Sequence, residues 1–234
     1  AAYGRLAGYL AGALFAVYGP AILIGTFATY DSLSVLLVAL GLLLWTRATL
    51  EDLPALYALG SVAFVAGALT KYAAGLVVAV IVLVWLAGAV VARLGVSRRD
   101  TPEAMPRLTW RTLLFAGLPF LIVPAFYLVF RAELASVWQG QVLTKQATAP
   151  GARLEILTAT ARYLWLPLLL GIPAFLLRGR RMLSAGFLAV GLSMLPYHLL
   201  NQDPTTLFKH TCYMLLGLAP LAGAEIRFPC AHGE

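Results

Sequence analysis

Three sets of polar residues in this chain are of types that can do chemistry, and each interrupts a long apolar stretch. Lys71 is the only charged residue from Pro54 to Ala92. An ammonium so placed is costly unless it sits at a membrane surface or has a polar partner, which makes it a functional candidate. Its compact charge is suited to neutralising a phosphate at an interface. Asp31, in the turn Thr29-Tyr30-Asp31-Ser32, offers a carboxylate that could bind a divalent cation or orient a hydroxyl. The third set is His198, Asn201, Gln202, Asp203, Thr205, Thr206, Lys209 and His210. Two imidazoles, a carboxylate and an ammonium there could hold phosphate or a metal, although the spacing matches no specific ligand pattern.

Each set also has a plainer role. Asp31 directly precedes an apolar run, where a carboxylate can cap free backbone N–H groups for about 1 kcal/mol. Lys71 can snorkel to the headgroups from a hinge between two helices, and Tyr72 beside it suits an interfacial aromatic belt. A polar patch between two helices is in itself ordinary.

The elements that must position these residues are membrane spans. Hydrophobic residues make up 61% of the chain and charged residues only 12%, with a mean hydropathy of +0.86, which excludes a soluble domain with a polar surface. The expected fold class is all-α, a polytopic integral membrane protein. A net charge of +7 is read as arginine retained in loops on one side of the membrane, not as a nucleic-acid footprint.

Apolar runs at Leu6 to Phe27, Ser32 to Trp45, Ala55 to Thr70, Ala73 to Leu94, Leu113 to Phe130, Tyr163 to Leu177, Met182 to Leu200 and Thr211 to Ile226 predict about eight spans. They form a single transmembrane domain over residues 1–226, with a tail at 227–234. Several runs are short for a ~30 Å hydrocarbon core. Cys212 and Cys230 fall at opposite ends of the last run, beyond disulfide reach.

A cytoplasmic N-terminus puts eleven basic residues inside, among them Arg47, Arg93, Arg98, Arg99, Arg178, Arg180 and Arg181, and six outside. All three lysines, Lys71, Lys145 and Lys209, then lie outside. The turns around Asp31 and Lys71, a loop over 131–162 and the segment from His198 to His210 share that outer face. Within the loop, Leu134, Val137, Trp138 and Val142 recur at helical spacing, which predicts a helix lying in the interface, then a break at Ala149-Pro150-Gly151 and a second helical stretch from Arg153. No phosphate loop, zinc helix, Cys-x-x-Cys pair or Gly-x-Ser-x-Gly elbow is present. Gly8 and Gly12 form a Gly-x-x-x-Gly pair that predicts close helix packing.

The stretch Phe27-Ala28-Thr29-Tyr30-Asp31-Ser32-Leu33, then an apolar helix and Arg47, then Ala68-Leu69-Thr70-Lys71-Tyr72, resembles the GT-C glycosyltransferases. More narrowly it is similar to glycosyltransferase family 39, which contains protein O-mannosyltransferases and the aminoarabinose transferases of lipid A. Phe208-Lys209-His210 through Leu218-Ala219-Pro220-Leu221-Ala222-Gly223 resembles a later helix of bacterial members.

The resemblance implies transfer of a sugar from a polyprenyl-phosphate donor at the extracytoplasmic face of the cell membrane. It implies donor-phosphate binding by Lys71 and an acidic position near the site at Asp31. Lys209 is a further candidate for the donor phosphate, and Tyr30, Tyr72, His198, Asp203 and His210 are candidates, with Asp31, to line the site or hold a metal. A divalent cation is one cofactor such a site could take. The family's acidic residue in the first large outer loop has no counterpart here, since Glu51-Asp52 falls on the predicted inner side. The catalytic carboxylate is therefore expected upstream of Ala1, and none is assigned within the chain. A transporter or lipid flippase, and a non-catalytic membrane subunit, remain as alternatives from other classes.

Overall fold

The computed structural model describes residues 4–26, 30–93, 109–139, 152–172, 181–202, 204 and 206–230. Every regular element among them is helical: α1 (Arg5–Val17), α2 (Gly19–Thr26), α3 (Tyr30–Glu51), α4 (Pro54–Thr70), α5 (Tyr72–Arg93), α6 (Trp110–Gly117), α7 (Ile122–Val129), α8 (Arg131–Trp138), α9 (Ala152–Gly171), α10 (Arg181–Leu192), α11 (Met194–Asn201) and α12 (Leu207–Cys230), with a 3-10 turn at Leu118–Leu121. Among the described residues, four stretches are long and apolar enough to cross a membrane: Tyr30–Glu51, Tyr72–Val91, Trp110–Val129 and Leu183–Asn201. Arg5–Val17 and Pro54–Thr70 are shorter apolar helices. The described residues are all-helical, as expected of a membrane-embedded protein, and among them length and composition give four candidate spans, not the expected eight.

The difference has local causes. The run from Leu6 is broken at Tyr18, where the backbone turns extended, and Pro20 just beyond lacks the N–H that would continue the α1 ladder. The second helical stretch expected from Arg153 and the apolar run from Tyr163 are one continuous helix, α9, which starts at Ala152 and buries Ile156 and Thr160. The expected loop over 131–162 carries helix at both ends, α8 and the first turns of α9, where helical stretches are expected. Val142 and the break at Ala149-Pro150-Gly151 lie outside the described residues. Backbone helix also continues past residue 226 to Cys230, so the expected tail at 227 starts as helix.

α12 is the central post. Its residues Thr211 to Ala219 are buried without interruption, as expected of a helix that is apolar all round. α1, α9 and α10 pack around it. Glycine admits the closest approaches. A Cβ on Gly217 would collide with the backbone of Phe187 and Gly191 on α10, and one on Gly223 with the Ala7 carbonyl of α1. Gly8 and Gly12 do not make the packing seam expected of them, since a Cβ on either meets nothing within 4 Å. α1 instead presents Ala7 and Ala11 to Gly223.

α3 and α4 form a tight antiparallel hairpin turned at Asp52, which adopts a positive φ of 54°, and Pro54 opens α4 at a position where its missing N–H costs nothing. Gly41 faces Phe64, Gly60 faces Trp45 and Gly67 faces Val38 along this seam. Trp45 then anchors an aromatic cluster with Tyr57, Phe64, Trp85 and Phe120. Its indole N–H is shared between the Tyr57 carbonyl at 3.0 Å and Ser61 Oγ at 3.1 Å. Ser61 in turn donates to the Ala116 carbonyl of α6 at 2.7 Å, which fastens α6 to the hairpin.

Candidate functional site

The hairpin seam ends where Asp31 opens α3 and Lys71 closes α4. Lys71 takes an extended backbone (φ −148°), and its N–H returns to the Gly67 carbonyl at 3.0 Å. That carbonyl also accepts the Ser34 hydroxyl at 2.9 Å. Ser34, one turn beyond Asp31 on the same face, accepts in turn from the Tyr213 hydroxyl of α12 at 2.9 Å. A single chain of hydrogen bonds, Tyr213 to Ser34 to Gly67, thus fixes the backbone that carries Lys71 relative to the central post.

So held, Lys71 Nζ lies 3.0 Å from Asp31 Oδ1. The pair is withdrawn from its surroundings, the Asp31 side chain 4% and the Lys71 side chain 15% exposed. The ammonium also sits 4.6 Å from the Tyr30 ring centroid and 5.9 Å from that of Tyr72, within cation–π range. Contact between Nζ and Oδ1 is one of charge, because Oδ1 makes no aligned hydrogen bond to the protein. A carboxylate oxygen can accept more than one such contact, so Oδ1 keeps acceptor capacity beside the ion pair. Asp31 is the second residue of α3, inside its first turn and not ahead of it as the cap reading expects. There the helix dipole favours a carboxylate by about 0.3–1 kcal/mol.

The histidines form a second cluster at the same end. His198 Nε2 and His210 Nδ1 are 2.9 Å apart, and both rings are buried. The hairpin from α11 to α12 brings them together, with Gln202 in the left-handed region at φ 50° reversing the chain. Tyr197 packs edge-on against both imidazoles, and His210 lies 6.2 Å, ring to ring, from Tyr213. The histidine pair thereby abuts the hydrogen-bond chain that holds Lys71.

Of the residues expected to line a site, Tyr30, Asp31, Lys71 and Tyr72 come together directly, and His198 and His210 join them through Tyr213. Lys209 does not: it is exposed on the first turn of α12, while its neighbour His210 turns inward. Asp203 lies outside the described residues. Among the described residues, no three His, Cys, Asp or Glu side chains converge as metal ligands. The neighbour of the Asp31 carboxylate is the Lys71 ammonium, which already supplies the positive charge a cation would bring.

Sequence reasoning passed over Ser34, Tyr213, Tyr18, Thr160 and Cys212. Ser34 was within reach, three residues beyond Asp31 and so on its face. Tyr213 stands the same distance beyond His210, but its partner is 179 residues away. Tyr18 Oη and Thr160 Oγ1 are buried oxygens that, like Asp31 Oδ1, have no hydrogen-bond partner. Tyr18 lies within electrostatic range of Cys212 and Tyr163, and Asp31 within range of Cys212 and Tyr213, so these groups border one region at the Lys71 end.

No known family model, curated protein or solved structure matches this chain.

Proposed function

We propose that this chain is the helical membrane core of a glycosyltransferase that uses a polyprenyl-phosphate sugar, acting at the extracytoplasmic face. The observation that carries the reading is the withdrawn Asp31–Lys71 pair, framed by Tyr30 and Tyr72 and retaining a buried acceptor oxygen. It joins the two short motifs on which the resemblance to GT-C glycosyltransferases rests. In this reading the acceptor hydroxyl attacks the anomeric carbon of the donor, and the bond from that carbon to the phosphate oxygen breaks. Lys71 neutralises the charge that develops on the departing phosphate. Asp31 positions the ammonium beforehand and offers Oδ1 to a sugar hydroxyl. A general base takes the proton of the acceptor hydroxyl, and it is not assigned to any residue here.

The test is Lys71→Ala and Lys71→Gln, with release of polyprenyl phosphate measured in membranes. A fall of about 10²-fold or more, as for loss of a group that stabilises transition-state charge, is expected with normal membrane insertion. Transfer at the unmodified rate would remove Lys71 from the donor site. One observation favours a second reading: Lys71 is already neutralised by Asp31, as a purely structural clamp in a non-catalytic subunit would be. In that case no polyprenyl-phosphate release is detected even from the unmodified protein.

A further inference from the structure

Two buried hydroxyls beside the Lys71 region do nothing for the packing around them. Thr160 is 5% exposed and Tyr18 Oη is buried, and among the described residues neither oxygen has a hydrogen-bond partner. Three other helical threonines return the hydroxyl to the carbonyl one turn back: Thr49 to Trp45, Thr70 to Ala66 and Thr158 to Leu154, at 2.7–2.9 Å. Thr160, on the face of α9 that buries Ile156 and Leu164, does not. The buried tyrosines Tyr57 and Tyr213 also have partners, Thr49 and Ser34, each at 2.9 Å. An unpaired buried hydroxyl is costly, so these two exceptions call for a partner.

The break between α1 and α2 is what places Tyr18. Its backbone is extended (φ −76°, ψ 125°), and its carbonyl accepts from the Ile22 N–H at 3.0 Å, so the residue joins two helices. Its ring packs against the core and lies within electrostatic range of Tyr163 and Cys212. Tyr163 follows Thr160 by three residues, which makes the two side chains neighbours on α9. The Tyr163 ring meets Phe208 of α12 at 5.3 Å, and Phe208 is one turn before Cys212. Tyr18 and Thr160 therefore border one stretch of the seam between α9 and α12. Cys212 is also within range of Asp31, so that stretch adjoins the ion pair.

A partner for both hydroxyls must bring polar atoms into an apolar seam. A sugar ring does so, because its hydroxyls donate and accept while its C–H faces suit apolar walls. The sugar of a polyprenyl-phosphate donor is bonded to the phosphate that Lys71 would neutralise, so its ring must lie beside the ammonium. We infer that Tyr18 Oη and Thr160 Oγ1 hydrogen-bond hydroxyls of the transferred sugar and thereby select which sugar the site accepts. The inference rests on the polyprenyl-phosphate reading and adds to it the groups that read the sugar. Both are binding groups, and neither makes or breaks a bond.

Tyr18→Phe and Thr160→Val remove the hydroxyls and keep the side-chain shapes. Because the hydroxyls make no bond within the fold, the melting temperature of each variant without ligand should be unchanged or raised. Native mass spectrometry of the full chain in detergent then compares retention of bare decaprenyl phosphate and of decaprenyl phosphate carrying glucose, galactose, mannose or arabinose. The unmodified chain should retain the best sugar about tenfold or more over the worst, and each variant should lower that ratio by about threefold to tenfold. Retention of bare decaprenyl phosphate should not change. A ratio unaltered in both variants would overturn the inference while leaving the polyprenyl-phosphate reading in place, as would equal retention of all four sugars by the unmodified chain. A lower melting temperature without ligand would also overturn it, since the hydroxyls would then be satisfied within the fold. Retention of none of the lipids, bare decaprenyl phosphate included, would overturn the polyprenyl-phosphate reading itself.

Discussion

Asp31 and Lys71 decide what can be asked at the scale of single residues. Each neutralises a charge that would otherwise be stranded among apolar helices, so removing one partner costs more than the pair itself contributes. Lys71→Met should destabilise the protein by about 3–5 kcal/mol by leaving an uncompensated buried carboxylate. The double variant Asp31→Asn with Lys71→Met should recover most of that loss. Thermal melts of the four proteins in detergent measure the coupling, and a double variant no more stable than Lys71→Met would show that the two charges are independent. Tyr213→Phe removes one hydrogen bond from the chain that holds Lys71 and should cost about 1 kcal/mol. The isolated charge was legible in the sequence because hydropathy exposes it. Its partner was not, since Asp31 looked like a cap, and only the antiparallel return of α4 along α3 sets the two side chains together.

Helix seams govern the next scale, and glycine is where they are most sensitive. On α4, the position a Cβ of Gly60 would take is 2.5 Å from Trp45 Cδ1 and 3.1 Å from the Gly41 carbonyl, and Trp45 is locked by two hydrogen bonds and four ring contacts. Gly60→Ala should therefore lower stability by about 1–3 kcal/mol, as overpacking does. Gly8→Ala meets open space and should be neutral or mildly stabilising, since alanine favours helix over glycine. Melting temperatures of the two variants side by side test the assignment of the seams, and the opposite order would refute it. The Gly-x-x-x-Gly spacing pointed to the wrong helix. Spacing shows that a glycine pair can lie on one face, but not which face finds a partner, and here the partners are Phe64 and Trp45. Helix breaks were similarly hidden in the apolar runs, because a hydropathy sum passes smoothly over Tyr18 and Pro119.

For the whole molecule, the packing makes a claim about sidedness that sequence patterning alone does not reach. Positive charge bias predicts which end of the bundle faces the cytoplasm. The contacts say something separate: Tyr213 on α12 bonds Ser34 on α3, so the Lys71 turn and the turn from α11 to α12 belong to one end. Cysteine labelling separates the two statements, in a background where Cys212 and Cys230 are replaced. Tyr72→Cys and Leu200→Cys are exposed positions near the Lys71 end, and Glu51→Cys and Trp110→Cys are exposed positions near the other. A maleimide that does not cross the membrane should label the first two on intact cells and the second two only after permeabilisation. If all four reverse together, the charge argument fails while the fold stands, and the proposed chemistry moves to the cytoplasmic face. If Tyr72→Cys and Leu200→Cys label from opposite sides, the packing itself fails. The histidine pair then loses its connection to Lys71, and with it the case for treating the two clusters as parts of one site.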